Sequence, residues 1–378
     1  MWFEQMTGFR ETPSNLAKYL TLQETPTESL LHNSLTGGVL HCGRFGTPSL
    51  RQLRLQVETA AVVPATTAPA LRLREVVGDV QALHRSPANA GALFQVASQF
   101  NGLEMVSPSV TPEHGISGYQ YDRTQGPACA IACGAGTLYR NYFVDVAAHM
   151  AADDSSSEYA ASTQRTARGQ TSTEQLDLLA PLHQALCQQL GRDVRAQGPL
   201  WRMQNGYVLI DAAELRQVSE HLTGLRQHER DQLAARLRIA MQWHSEVTLH
   251  RSNGEHATDP QPSADAAPIH RVSQAYCSAL PVAYNRHSAD LWQPFAQLVL
   301  DAAYEATLAA AVINAQQTGN NKVFLTQLGG GAFGNRSDWI FSAIERALRL
   351  YQQHDLDVVM VSYSRASGEV ARLMERLG

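Results

Sequence analysis

The segment Lys322-Val-Phe-Leu-Thr-Gln-Leu-Gly-Gly-Gly-Ala-Phe-Gly-Asn335 runs from an apolar, strand-forming start into a glycine-rich turn, and a helix follows from Ser337 to about Gln353. Gly329, Gly330, Gly331 and Gly334 carry no side chain to hold a ligand off the backbone, and they tolerate positive φ, so successive N–H groups can converge on an anion. The helix adds its positive N-terminal end beside the turn. The turn lacks the Lys-Ser/Thr ending of a Walker A loop, which argues against a kinase or ATPase. Two readings remain open: a diphosphate cradle, or a strand-to-helix connection whose glycines only satisfy tight geometry.

Around this segment the C-terminal third alternates: a strand at Val272 to Ala279, a helix at Pro294 to Thr318, the strand and glycine turn, the helix after Ser337, and a strand at Asp357 to Tyr363. That order predicts an α/β fold with helices on the faces of a sheet, and ligands in such folds lie at the loops leaving the C-terminal ends of strands. Further upstream, strands are expected at Leu71 to Val77 and Leu93 to Ala97, and a largely buried helix at Pro127 to Tyr142. The first 70 residues read as a helical part at Asn15 to Leu31, a hairpin around Gly37, Gly38 and Gly43, and a helix opened by Pro48-Ser49. The middle reads as a helix at Thr173 to Gly191, a hairpin turning at Asn205-Gly206, and helices at Ala212 to Leu222 and His228 to Leu237. Three stretches, Ala60 to Ala70, Ala151 to Thr173 and Arg251 to Pro268, are rich in Pro, Ser, Thr and Ala and read as surface loops or disorder.

The 378 residues suffice for one large or two ordinary domains, and 44% hydrophobic with 17% charged residues is a globular composition. A formal charge of -5 argues against a nucleic-acid partner. No apolar run approaches the roughly 18 residues of a membrane span, and Met1 to Arg10 lacks a basic segment followed by an apolar core, so neither a membrane nor a secretory signal is expected. The 5 cysteines form no CxxC pair, which suits reduced thiols and an intracellular setting. Cys129 and Cys133 share a helix face without further ligands, and no HExxH or His-Asp cluster is present, so neither metal nor cofactor is expected.

Four segments in order carry a family resemblance: Glu75-Val-Val-Gly-Asp-Val80, Ala97-Ser-Gln-Phe-Asn101, Thr124-Gln-Gly-Pro-Ala-Cys-Ala-Ile131 and Gly329-Gly-Gly-Ala-Phe-Gly-Asn335. Together they resemble the macrodomain family, whose members bind ADP-ribose and often hydrolyse its conjugates. More narrowly, the pattern is similar to a divergent branch that includes arginine-specific ADP-ribosyl hydrolases of bacterial effector type. The resemblance covers roughly Leu71 to Tyr363, with insertions at about 106 to 121 and 150 to 270. It implies a three-layer sandwich with a mixed sheet, an N-terminal extension over 1 to 70, and a macrodomain-like core over 71 to 378 interrupted at about 151 to 270.

The resemblance also implies site residues. Asp79 would accept the adenine amino group, with Val80 supplying backbone beside it, and Asn101 would bind the ribose nearest the scissile bond. Gln125 and Gly126 would sit against the diphosphate or the ribose edge, although this loop departs from the family's run of glycines. Gly329, Gly330, Gly331, Ala332 and Gly334 would hold phosphate oxygens, Phe333 would cover the ligand, and Asn335 would orient the ribose or cap the next helix. Asp338, one turn further, is the leading catalytic expectation; as a first-turn acid it also has a plain helix-stabilising role. Glu104, Glu113 and Asp122 are the available second acids. The implied partners are ADP-ribose and an ADP-ribosylated protein, and the implied reaction is removal of ADP-ribose from a side chain, arginine foremost. A non-catalytic ADP-ribose reader would use nearly the same binding residues. A cytoplasmic or nuclear location is expected in a eukaryote, and a secreted effector in a bacterium.

Overall fold

The computed structural model describes residues 1–60, 71–151, 168–249 and 269–377. Most of the three stretches read as loops therefore lies outside the described residues. The strands are β1 (Leu20–Glu24), β2 (Ser29–Asn33), β3 (Val39–Gly46), β4 (Arg72–Val77), β5 (Leu93–Ala97), β6 (Arg202–Gln204), β7 (Tyr207–Leu209), β8 (Ala240–Glu246), β9 (Arg271–Cys277), β10 (Lys322–Leu325) and β11 (Asp357–Ser362). The helices are α1 (Trp2–Thr7), α2 (Pro13–Tyr19), α3 (Leu50–Ala60), α4 (Val80–Arg85), α5 (Gln125–Ala132), α6 (Gly134–Tyr142), α7 (Val146–Ala151), α8 (Ala180–Gln189), α9 (Val194–Gln197), α10 (Ala212–Gly224), α11 (Gln227–Ala234), α12 (Ala289–Thr318), α13 (Ser337–Leu350) and α14 (Gly368–Leu377).

Nine strands form one mixed sheet in the order β1-β2-β3-β8-β9-β5-β10-β11-β4, and β6 and β7 form a separate hairpin. From β9 to β4 every neighbour is parallel, and from β9 back to β1 every neighbour is antiparallel. The parallel half is where helices return the chain, and its central strands are buried on both faces, as the Val-rich run Asp357-Val-Val-Met-Val-Ser362 requires. Side-chain alternation sends one face to α12, where the Gln95 amide donates to Thr307 Oγ1 at 2.9 Å. The opposite face meets α4 and α5: the His84 ring stacks on Phe94 at 3.7 Å, and the Gln274 amide donates to the Cys129 carbonyl at 2.9 Å. Helices thus cover both faces of the sheet.

Several elements depart from the sequence reading. Asn15 to Leu31 is not one helix: α2 ends at Tyr19, and Leu20–Glu24 alternates apolar and polar residues and pairs antiparallel with Ser29–Asn33. The first 70 residues thereby contribute three strands to the shared sheet. The expected single helix at Pro127 to Tyr142 is two, broken at Cys133. The break lets the Gly134 N–H donate to Thr248 Oγ1 at 2.9 Å, and a Cβ at Gly134 would meet the Met6 sulfur at 2.5 Å. In the middle region the helix expected over Thr173 to Gly191 is confined to Ala180–Gln189, and β8, unforeseen, joins the sheet. Helix α12 spans 30 residues and is apolar enough by composition to cross a membrane, but 89% of its most apolar window is buried inside the structure, as befits the central core helix. All five cysteines are buried and free.

Candidate active site

The C-terminal ends of β4, β11, β10, β5 and β9 open onto one elongated cleft. Its larger chamber, about 800 Å³, is lined by Gly78 to Gln81, Tyr119, Asp122 to Gln125 and Ser362 to Glu369. The smaller, about 240 Å³, is lined by Ala97 to Gln99, Glu104 to Val106, Tyr207, Ala279, Tyr284 and much of Gln327 to Phe333. Asp122, Thr124, Gln125, Thr326 and Gln327 line both, so the chambers join at the middle of the parallel sheet.

The glycine turn forms the roof of the smaller chamber. Gly329 sits at φ +74, where a Cβ would meet Ala279 Cβ at 2.4 Å, so glycine is required there on two counts. The loop closes through Gly330 N–H to Gln327 O at 3.1 Å, Gly334 N–H to Gly331 O at 3.0 Å and Asn335 N–H to Gly329 O at 2.9 Å. The N–H groups of Gly329, Gly331, Ala332 and Phe333 have no acceptor among the described residues, and all four of these residues line the chamber. Free amides on a tight turn can converge on an anion. Gly330, Gly334 and Asn335 are not part of that lining. They shape the loop: a Cβ on Gly334 would lie 2.9 Å from Ala283 Cβ, and the Asn335 amide donates to Leu280 O at 2.8 Å.

Helix α5 is pulled close against the end of β5. A Cβ on Gly126 would lie 1.9 Å from the Ala97 carbonyl oxygen. Gln125 spends its amide on the same strand, accepting from Ala97 N–H at 2.9 Å and donating to Gln95 O at 2.8 Å. Both residues thus have a structural role: the Gln125 amide is engaged by β5, and Gly126, expected at the ligand, lines neither chamber. Asp79 caps α4, its Oδ1 accepting the Gln81 N–H at 2.8 Å, and Val80 is buried behind it; both line the larger chamber.

Glu104 is placed by a compact turn after β5. Gly102, at φ +69, lets the chain reverse; Gln99 N–H donates to Leu103 O, and Gln99 Oε1 accepts the Met105 N–H. The Glu104 N–H itself donates to the Tyr119 hydroxyl at 3.2 Å. Its side chain is fully buried at the chamber wall, 3.6 Å from the equally buried guanidinium of Arg140, and neither carboxylate oxygen has a hydrogen-bond partner among the described residues. Burial pushes its pKa up to about 7, against the opposing pull of Arg140 and Tyr119. Arg140 is held by the Gly102 carbonyl at 3.0 Å and Thr137 Oγ1 at 3.2 Å, and lies 3.6 Å over the Tyr276 ring. Asp122 stands at the junction of the chambers, its Oδ1 accepting Thr124 N–H at 2.8 Å.

Three expectations do not fit this geometry. Asp338 lies outside both chambers: the Asn335 to Gly329 hydrogen bond turns the chain out of the cleft before α13 begins. Its carboxylate is 60% exposed and grips Arg336 through two 2.9 Å hydrogen bonds, which hold its pKa below the usual range. Asn101 is fully buried and lines neither chamber; its Oδ1 accepts Leu103 N–H and its amide donates to Gln175, so it builds the Glu104 turn. Glu113 binds the Ser172 N–H and hydroxyl, also outside both chambers. Sequence reading missed Tyr119, Arg140, Tyr207, Tyr284 and the Tyr363 to Ser367 loop. Of these only Tyr119 lay close in sequence to a candidate acid; Tyr207, Tyr284 and the loop reach the cleft through the fold, and Arg140, which lines neither chamber, is brought by the fold to Glu104. Among the described residues no cluster of three His, Cys, Asp or Glu is placed to hold a metal ion.

Fold and site define an α/β protein with a two-chambered cleft, a glycine turn with four free backbone amides at one wall and a buried carboxyl, its pKa pushed up by burial, at another. No protein-family model and no curated protein matches the chain. Among solved structures, the poly(ADP-ribose) glycohydrolase of Deinococcus radiodurans in complex with ADP-ribose is similar over 88% of this chain and 94% of that one, at 12% identity and a TM-score of 0.40.

Proposed function

We propose that the protein is an ADP-ribosyl hydrolase that removes ADP-ribose from modified protein side chains, arginine foremost. The observation that carries this reading is the pairing, in one small chamber, of four free amides with the buried Glu104 carboxyl, which lies 3.6 Å from Arg140. In this reading the glycine turn cradles the diphosphate. The larger chamber takes the adenosine, whose amino group meets the Asp79 oxygen left over from helix capping. The smaller chamber takes the second ribose and the bond to be cut.

The guanidinium of an ADP-ribosylated arginine already carries a positive charge. When the carbon–nitrogen bond breaks, its electron pair goes to nitrogen and the positive charge moves to the ribosyl carbon. Ionised Glu104 stabilises that charge, takes a proton from the attacking water, and passes it to the departing guanidine, a strong base. The water oxygen remains on the ribosyl carbon. A group titrating at about 7 suits both halves of this relay. Asp122 places a second carboxylate at the cleft's waist, where it holds the water or the ribose hydroxyls.

The test is release of ADP-ribose from arginine-linked and carboxylate-linked ADP-ribosylated peptides by wild type and Glu104→Gln. The reading expects arginine-linked turnover, reduced about 10² to 10⁴-fold in the variant. Binding of free ADP-ribose without release from either linkage would make the protein a non-catalytic reader. A Glu104→Gln variant as active as wild type would remove Glu104 from the chemistry.

A further inference from the structure

The β6–β7 hairpin belongs to the long middle region for which the sequence offers no role, yet it is tied to both walls of the smaller chamber. On one side Gly206 O accepts the Phe100 N–H at 3.0 Å, the Gln204 and Asn205 amides donate to Pro108 O at 2.9 and 2.7 Å, and the Tyr207 hydroxyl donates to Met105 O at 2.6 Å. These contacts bracket Glu104. On the other side the Asn285 amide donates to Val208 O at 3.1 Å and Asn285 Oδ1 accepts the Ile210 N–H at 3.2 Å, which fixes the loop carrying Tyr284.

Between those anchors stand three rings. Tyr207 is buried and backs both of the others, at 5.0 Å from Tyr284 and 5.2 Å from Phe333, while Tyr284 and Phe333 meet edge-on at 5.7 Å and 75°. Tyr284 remains 37% exposed, and all three rings line the chamber that holds Glu104. A partly exposed ring in a chamber that also holds the Glu104 carboxyl, itself 3.6 Å from Arg140, suits one kind of group. It must be flat, weakly hydrated and cationic, and offer parallel N–H donors.

We propose that the hairpin and Tyr284 form the subsite for the leaving group, with Tyr284 stacking on the guanidinium of a modified arginine side chain while Glu104 faces its N–H edge. This rests on the hydrolase reading above and adds the residues that select the linkage. An acyl-linked or hydroxyl-linked substrate brings no cation to the ring and gains nothing from it. The hairpin's role is that of a brace: it ties down both the segment carrying Glu104 and the loop carrying Tyr284.

The experiment compares Tyr284→Leu and Tyr284→Phe with wild type, measuring kcat/KM on an arginine-linked ADP-ribosylated peptide, kcat/KM on a carboxylate-linked one, and Kd for free ADP-ribose. Leucine keeps bulk but not the π face. The expected result is a loss of about 10-fold or more in kcat/KM on the arginine linkage for Tyr284→Leu, with near wild-type values for Tyr284→Phe. Free ADP-ribose should bind the leucine variant within about 2-fold of wild type, which also shows that it has folded. Arginine-linked turnover by Tyr284→Leu at the wild-type level overturns the subsite and leaves the hydrolase reading standing. Equal losses on both linkages overturn it as a selector of arginine. Wild type that binds ADP-ribose but cleaves neither linkage overturns the hydrolase reading and the subsite together.

Discussion

Glu104→Gln should change how stability depends on pH, by an amount the structure sets. The Glu104 carboxyl titrates at about 7 in the folded protein, against 4.5 for a free glutamate. Below 4.5 it is protonated in both states. Between 4.5 and about 7 the folded protein holds a proton that the unfolded chain has released, so stability falls as pH rises through this window and levels off above it. At about 1.4 kcal/mol per pH unit, that gap is worth about 3 kcal/mol. Glutamine matches the protonated acid in shape and does not titrate. The variant should therefore gain about 3 kcal/mol on wild type between pH 4.5 and pH 8, with other titrating groups cancelling in the difference. Urea unfolding followed by fluorescence of buried Trp201, Trp243 and Trp292 measures it. Parallel stability curves for the two proteins across this range would refute the reasoning, because they would place Glu104 in contact with solvent.

Asp338→Ala should retain turnover and ADP-ribose affinity within about 2-fold, since surface substitutions away from a site usually cost little; a loss of a hundred-fold in a steady-state assay would restore it to the mechanism. Arg140→Gln removes the cation that draws Glu104 downward, so the midpoint of the rising limb of kcat/KM with pH should move above about 7; an unmoved midpoint would separate Arg140 from the reaction. Gly126→Ala places a methyl group 1.9 Å from a backbone oxygen, forcing α5 off β5. It should cost about 1–3 kcal/mol and weaken the rise in Tm that ADP-ribose gives, whereas an unchanged shift would show that α5 does not shape the cleft.

The parallel half of the fold was legible because its strands are short, apolar and β-branched, and because glycine and a helix start mark where β10 ends. The antiparallel half was not. Strand β8, Ala240-Met-Gln-Trp-His-Ser-Glu246, buries Gln242, Ser245 and Glu246, so its polar residues point inward and hide the alternation. Gln242 is accommodated by donating to Cys42 O, a partner 200 residues away. The cleft's backbone parts were readable for the same local reasons as the strands. The carboxyl proposed as catalytic, Glu104, was harder to single out, because its burial and its distance from Arg140 are properties of the packed fold. Asp338 drew attention through its position after the glycines, and a single backbone hydrogen bond is enough to turn it away.

The strand order also dictates when this cleft can exist. Strand β5 lies between β9 and β10, and the only sheet neighbour of β4 among the described strands is β11. A nascent chain therefore displays β4 and β5 long before their parallel neighbours have been synthesised. Nothing local can seal those edges in the interval, and pairing across such separations is slow. Folding of this molecule is in consequence an event of late synthesis, since the sheet cannot close around β4 and β5 until β9, β10 and β11 have been made.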